Sequence, residues 1–596
     1  MHVHPFQVST FLLHILFSYL LSIPLPLHAQ IDLDPEEAEA FAEVQERLEG
    51  TRLNPNLATV KDLQIFPWIS KPLARQIVAT RKKKGLFRRP HDLLNVPGLS
   101  PDLVDLLEPY LSFSTPTRRT FRTRWRLHRP AGTTWENGRI SQRSEIQIAD
   151  GLTGFFQTER DPGESTFTDF WSGYLHLTPN FNHTQLLIGD FRPTFGHGLL
   201  FSSRSRSASG LTWANTSSRS PAGYRSAGEN SALRGLLLTS QTGSFTGTLM
   251  FTRTARDATI DDTGKASIRT SGRHVTPNEQ TRKDALTERL TVLHLTGPLP
   301  AGKIGLTAGR AVLTHPLASG IPKHHRFIGI DWQTATDRVV LYGEIARSQS
   351  QIAWLTGGQF TLKNLRIVIL TRHYEPEFKT LHGAPFSVYR GTNEWGLFLG
   401  TVWKPHSQTR LEWSLDRYGR LRPEPNTALP ARGERFKLGL NHRLSRAWTV
   451  ALTVSTQKKS EPADLDLRKR LRLRLTGRLT KLRISGWAEG SQNRSSPKQK
   501  QRRAAGLDLR LGKRKGFSLS AWANQYRTTN TPIYTLMPDV WNGTGLQPLI
   551  GGGKTAGIRL GWSGSHMRFS LRSTFRRSRS KTTTTWTAQV DLGTLH

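Results

Sequence analysis

The side chains best suited to chemistry are cations gathered around residue 80 and beside a glycine-containing turn. Lys71, Arg75, Arg81, Lys82, Lys83, Lys84, Arg88 and Arg89 follow one another with no carboxylate before Asp92. At that density, lysine and arginine grip a phosphate backbone through counterion release, and they equally suit anionic lipid or a protein surface. Pro97-Gly98-Leu99-Ser100 precedes a helical pattern, so its amides and the helix dipole favour an anion. Contact with DNA phosphates is therefore assigned to Lys71, Arg75, Lys82, Lys83, Gly98, Leu99 and Ser100. Protein docking or a structural use is the competing reading.

Other eye-catching residues carry less. Gly551-Gly552-Gly553-Lys554-Thr555 resembles part of a phosphate loop, but Pro548 stands where the leading glycine belongs. It reads instead as a glycine-rich connection. His324 and His325 are adjacent, so on a strand they point to opposite faces. With no cysteine and no His-Glu-x-x-His, no metal ligand is expected. Asp190 reads as a charge paired with Arg192 or another arginine. No carboxylate pair or nucleophile–base spacing stands out, so neither a catalytic residue nor a cofactor is expected, and the chain is not read as an enzyme.

The basic cluster must be positioned by helices. Leu53-Asn54-Pro55-Asn56-Leu57-Ala58 leads into a helix near Thr59–Phe66, Pro67-Trp68-Ile69-Ser70 makes a hairpin, and a second helix runs from about Pro72 to Lys84. The order then repeats: Asp92-Leu93-Leu94-Asn95-Val96, the Pro97–Ser100 hairpin, and a helix through Leu103, Val104, Leu106 and Leu107. On these motifs and the Arg81…Gly85-Leu86-Phe87 connector, the block resembles the tandem helix-hairpin-helix domain of the competence protein ComEA family. That resemblance implies shape-and-charge binding of double-stranded DNA. Trp68 departs from the family's glycine, and Ser70 and Ser100 replace its second glycines. A tryptophan prevents close phosphate approach and disfavours positive backbone dihedrals, which points to a structural first hairpin.

Beyond Pro116 the period becomes two. Leu411, Trp413 and Leu415 alternate with Glu412 and Ser414, and Leu471, Leu473 and Leu475 alternate with Arg472 and Arg474. Hairpin-like repeats continue to the end with no helical layer. Closing such a sheet removes its edges, and a lipid-facing exterior explains why the apolar residues keep to one face. The expected fold is mainly β: a large antiparallel transmembrane β-barrel of roughly 22–26 strands with a small all-α helix-hairpin-helix domain at its N-terminus. Trp171, Tyr174, Trp403, Tyr418 and Trp586 suit interfacial girdles. Ser202–Ser226 is too long for a tight turn, and its Arg204, Arg206, Arg219 and Arg225 form a candidate pore loop for anionic cargo.

The barrel also resembles an uncharacterised group of helix-hairpin-helix-containing bacterial outer-membrane proteins. The resemblance rests on Ile188-Gly189-Asp190-Phe191, Phe195-Gly196-His197-Gly198-Leu199, Arg372-His373-Tyr374-Glu375-Pro376 and Asn393-Glu394-Trp395-Gly396-Leu397-Phe398. It implies topology more than activity. The last residues, Gly593-Thr594-Leu595-His596, lack the terminal aromatic of many such barrels.

Export fits this picture. Phe11–Leu21 is apolar apart from His14 and Ser18, and cleavage is expected after Ala29, giving a signal peptide over 1–29. An acidic helix over 30–50 follows, with Asp34 as N-cap, Pro35 at N1 and Glu37 at N3. The helix-hairpin-helix domain covers 51–114 and the barrel 115–596. An exported chain of 596 residues without cysteine must find its stability in a large core, a closed sheet or a bilayer. The expected location is the outer membrane, with the N-terminal domain in the periplasm. The expected partners are outer-membrane lipid, double-stranded DNA, and periplasmic or outer-membrane proteins. DNA binding or uptake is the first functional reading, and a structural, assembly or porin-like role with a protein-docking module is the second.

Overall fold

The computed structural model describes residues 53–593, except 64–65, 67–68, 70, 98, 100–102, 105–106, 114–119, 150, 165, 179–183, 204–209, 212–213, 215–220, 270–271, 407, 426, 446, 462–463, 480–481, 496–497, 513–515, 529–530, 541–543 and 579–580. The expected leader, the acidic helix, Trp68, Gly98, Ser100, Arg204, Arg206 and Arg219 lie outside the described residues.

The N-terminal block is helical. A short α-helix, Val60–Leu63, precedes a longer one, Lys71–Lys84, followed by 3-10 turns at Pro90–Asn95 and Glu108–Tyr110. The long helix stops because Gly85 takes a φ of +88° while its N–H donates to the Arg81 carbonyl. Leu63, Phe66, Ala74, Ile77, Phe87, Leu93, Val96, Val104, Leu107 and Tyr110 are buried together. The block's ends are stitched by Leu53 N–H to Tyr110 O (2.9 Å) and Ser112 N–H to Leu53 O (2.8 Å).

From Thr120 onward, 24 antiparallel strands form one sheet, and the first (Thr120–Pro130) pairs with the last (Thr582–Gly593), closing the barrel. The seam has the register Trp125↔Val590 and an inward ion pair, Arg124 Nε to Asp591 Oδ1 at 2.6 Å. Backbone pairing and this buried ion pair join the two strands of the seam.

Strand alternation sorts the two faces. Leu295, Leu306, Ile330 and Ile345 lie side by side on consecutive strands and are all exposed, as an outer apolar band requires. The neighbouring positions Asp331, Glu344, Leu355, Arg372, Gly396 and Tyr418 form an inward row. Strand ends on the side of the termini are joined by short turns such as 243–244, 300–301 and 363–364. The opposite ends carry 192–232, 257–285, 375–393 and 528–551. Short periplasmic turns and long external loops are the asymmetry of outer-membrane barrels. The protein is an outer-membrane β-barrel with its N-terminal helical module on the periplasmic side.

Two expectations need correction. Trp171, Trp403 and Trp586 face outward, but Tyr174 and Tyr418 are buried and point into the lumen because they fall on the other parity of their strands. Gly552–Thr555 is not a connection: it begins the strand Gly552–Ser563. A Cβ on Gly553 would stand 2.2 Å from the Arg577 carbonyl, so glycine there lets two strands approach.

Candidate functional site

Three long external loops fold back into the barrel. The first follows the strand Thr184–Phe191. Asp190 on that strand holds Arg234 (2.8 Å) and the Gly173 N–H (2.9 Å), an arginine partner of the kind expected for it. The loop then descends: Phe195 stacks on His294, with ring centroids 4.3 Å apart, and Leu199, Leu200 and Phe201 are buried. Glu344 on the wall accepts N–H bonds from His197 (2.5 Å) and Leu199 (3.2 Å). Gly196, at φ +54°, lies so close to the wall that a Cβ would meet the Glu344 carboxylate at 2.7 Å and Asp331 at 2.9 Å. On the way out, Arg225 binds Glu145 and donates to the Tyr174 hydroxyl at 2.8 Å. Of the four expected pore-loop arginines, this is the described one, and it ties the loop to the wall.

The second loop, 375–393, meets the first inside the lumen. Ser202 N–H donates to His382 O and Ala384 N–H to Gly198 O, each at 2.9 Å, while Phe201 and His382 stack. The loop's far end is gathered by Glu394, which accepts from the Ser387 hydroxyl and from the Val388 (3.0 Å) and Tyr389 (2.6 Å) amides. Glu394 is balanced by Arg372 (2.6 Å), which also reaches Asp416 (2.9 Å); Arg372 and Glu394 have no side-chain exposure. Gly396 makes room for this guanidinium, since a Cβ would lie 2.3 Å from its central carbon. A further bridge joins His382 to Glu288 (2.6 Å) and Glu288 to Arg256 (2.7 Å).

The third loop inserts the hairpin Ile533–Pro538 and Thr544–Leu549, which packs on Trp487, Trp522 and Tyr526. Its Tyr534 carbonyl accepts from Arg472 (2.9 Å) and Asp539 pairs with Arg572 (3.4 Å). The adjacent wall is basic, with Arg470 and Arg472 sharing Glu489 and Arg474, Arg502 and Arg559 also buried. The lumen is thus occupied by the chain's own loops, each fixed by charged groups on the strands.

At the outer rim, Glu164, Asp169, Glu229, Asp257 and His274 converge from three loops. Burial first, then Asp257, Asp169, Glu164 and Asp161, push the Glu229 carboxyl up to about 9. Burial would lower the His274 imidazole, but its hydrogen bond to Asp169 and the charge of Asp257 outweigh that and hold it above its usual range.

In the periplasmic module, Arg75, Lys82 and Lys83 are exposed on the long helix, where i and i+7 share a face. Lys71 begins that helix. Arg81 is consumed structurally, donating to the Pro55 and Ala58 carbonyls at 2.7 Å. Leu99 is 7% exposed and its N–H goes to Val96 O at 3.2 Å, so its side chain and amide serve the fold. Leu57 and Leu86 are 55% and 71% exposed. Reciprocal bonds between Asn56 and Phe87, of 2.7 and 2.8 Å, join the two segments that carry them. Asp92 accepts from the Arg88 and Arg89 amides; the Arg88 bond leads in holding its carboxyl below the usual range, against slight burial. Glu108 interacts electrostatically with Arg510, and the module's apolar core is continuous with apolar residues inside the barrel.

Sequence reasoning found the module's basic helix but not the luminal clamps or the rim cluster. Their members lie tens to hundreds of positions apart, and only the glycines flanking His197 and the Glu394-Trp395-Gly396 string marked them.

Residues 49–112 match the helix-hairpin-helix motif family. Among curated proteins, none matches this sequence. Solved structures similar to the chain include the siderophore receptor PirA from Pseudomonas aeruginosa, at 8% identity and TM-score 0.43, covering 81% of this chain and 82% of that one. Another is the FrpB iron transporter from Neisseria meningitidis, at 12% identity and TM-score 0.38, covering 80% and 83%. OccK3 (OpdO) of Pseudomonas aeruginosa matches at 11% identity and TM-score 0.29, over 59% of this chain and 94% of that one. At such identities and scores, the cargo of those proteins does not transfer to this chain.

Proposed function

We propose that the protein is a gated transport barrel of the outer membrane whose periplasmic module, residues 51–114, docks a protein partner. The observation that carries the gate is the pair of luminal loops bonded to one another through Ser202–His382 and Gly198–Ala384 and clamped to the wall by Glu344 and Glu394. Passage requires these loops to move as a unit. Docking is supported by Leu57 and Leu86, an exposed apolar pair beside Lys82, Lys83 and Lys84, a composition that suits an amphipathic protein face better than a phosphate backbone. In planar bilayers the full-length protein should be closed, and removal of 195–201 together with 377–391, the facing parts of the two bonded loops, should raise its conductance. Steady large conductance from the unaltered protein would refute the gate.

A second reading, binding of double-stranded DNA for uptake, is favoured by the exposed face of Arg75, Lys82 and Lys83 and by the likeness to the ComEA family. It predicts that the full-length protein in lipid nanodiscs binds labelled duplex at low salt, with an affinity that falls linearly on a log–log salt plot and declines when these three residues are replaced by alanine. No duplex binding at low salt removes this reading and leaves docking.

A further inference from the structure

The external rim brings together residues from three loops that are far apart in sequence. His274 lies between two carboxylates, with Nδ1 2.6 Å from Asp169 Oδ2 and Nε2 3.1 Å from Asp257 Oδ2. Asp169 is itself held by Lys283 Nζ at 2.8 Å. A carboxylate on one ring nitrogen fixes the tautomer and turns the other nitrogen toward a fixed point, the arrangement that supports metal-ligating histidines. At that point the donor atoms of His274, Asp257 and Glu229 all lie within 4.8 Å of one another.

The surroundings of the three donors are built. Asp257 is oriented by the Asp284 amide and the Asn230 side-chain amide, both at 3.0 Å, and each of its oxygens retains acceptor capacity. The Glu229 carboxyl has neither a hydrogen bond nor an ion pair among the described residues. Its carboxylate sits against Gly272, which adopts φ +60°; a Cβ there would stand 2.3 Å from the carboxyl carbon. A side chain at 272 would fill the cradle that Glu229 occupies. Glu164, which accepts the His274 N–H at 3.2 Å, and Asp161 add further negative charge.

We propose that this rim cluster is a binding site for one divalent transition-metal ion of the zinc class, with His274 Nε2, Asp257 and Glu229 as ligands and Asp169 as the positioning residue. One nitrogen and two carboxylates suit zinc, cobalt or iron(II) and leave room for water or an external ligand. An all-oxygen site for calcium would not need the imidazole. The metal would staple the loops 161–169, 192–232 and 257–285, and Glu229 lies four residues beyond Arg225, where the luminal loop leaves the barrel. Occupancy would therefore anchor the outer end of the gate.

The test is calorimetric titration of chelator-stripped full-length protein in detergent with Zn2+, and separately with Co2+ followed by visible absorption. One ion per chain is expected, with a Co2+ spectrum that disappears in His274→Ala. Asp169→Asn should weaken Zn2+ binding by about 10–100-fold and Glu229→Gln by about tenfold or more. Glu229→Gln removes a group with no protein partner, so it keeps the test decisive if His274→Ala does not fold. Absence of Zn2+ binding overturns the proposal. So does binding that Glu229→Gln and His274→Ala leave unchanged, or Ca2+ binding as tight as that of Zn2+.

Discussion

Arg372 shows how single residues set the state of the lumen. Its guanidinium satisfies Glu394 and Asp416 at once, and Glu394 in turn holds the amides that begin the return of the loop 375–393. Arg372→Met should leave two carboxylates buried without their cation and cost about 3–5 kcal/mol, read from the urea midpoint in detergent. Arg372→Lys should rescue only part of this, because an ammonium cannot replace the fork that reaches both acids. At the rim, Glu229 carries a carboxyl whose folded value, about 9, lies above its ordinary 4.5. A raised value means that the folded form keeps a proton the unfolded form loses. The corresponding stability is full below about 4.5 and is lost as pH rises toward about 9. His274, also raised, acts in the same direction, whereas Asp169, lowered, loses its contribution only at acid pH. In chelator-treated protein, protease cleavage of the rim loops should accelerate across that window, and Glu229→Gln should flatten the rise.

Among the elements, the helical module is held by local chemistry that the sequence exposes. Asp92 gathers the Arg88 and Arg89 amides at 2.9 and 3.1 Å and starts the turn Pro90–Asn95. Asp92→Ala should cost about 0.5–2 kcal/mol locally, seen as faster tryptic cleavage after Arg88 and Arg89 in the folded protein. A cleavage rate equal to the parent's would show that the module's core alone fixes this connector. The luminal loops obey different rules. Their backbones are satisfied by wall side chains and by each other, so the glycines at 196 and 198 matter for close approach rather than for turns in open solvent. That is why Phe195-Gly196-His197-Gly198-Leu199 and Asn393-Glu394-Trp395-Gly396 stood out as strings, while their meaning as facing halves of one clamp did not.

For the whole molecule, closure is the decisive event. Arg124→Ala should weaken the seam by about 1.5–3 kcal/mol and lower the temperature at which the heat-modifiable band unfolds. The loss is bounded because Gln589 still donates to Asp591 at 2.7 Å. An unchanged transition would assign closure to the backbone ladder alone. The period-two alternation from Pro116 onward was sufficient to predict a large closed antiparallel barrel, and the 24 strands fall inside the range expected from segment spacing. Alternation also separated lipid-facing from luminal residues, although Tyr174 and Tyr418 show that aromatic type alone does not say which side a ring takes. By itself, then, the sequence determined the helical module and the barrel, because helix period, strand period and turn chemistry are properties of neighbouring residues. Only the tertiary structure decided that the lumen is filled, that Arg225 is structural, and that His274 meets carboxylates from three loops. Those facts depend on which distant strands are brought face to face, and barrel closure sets that, not local spacing.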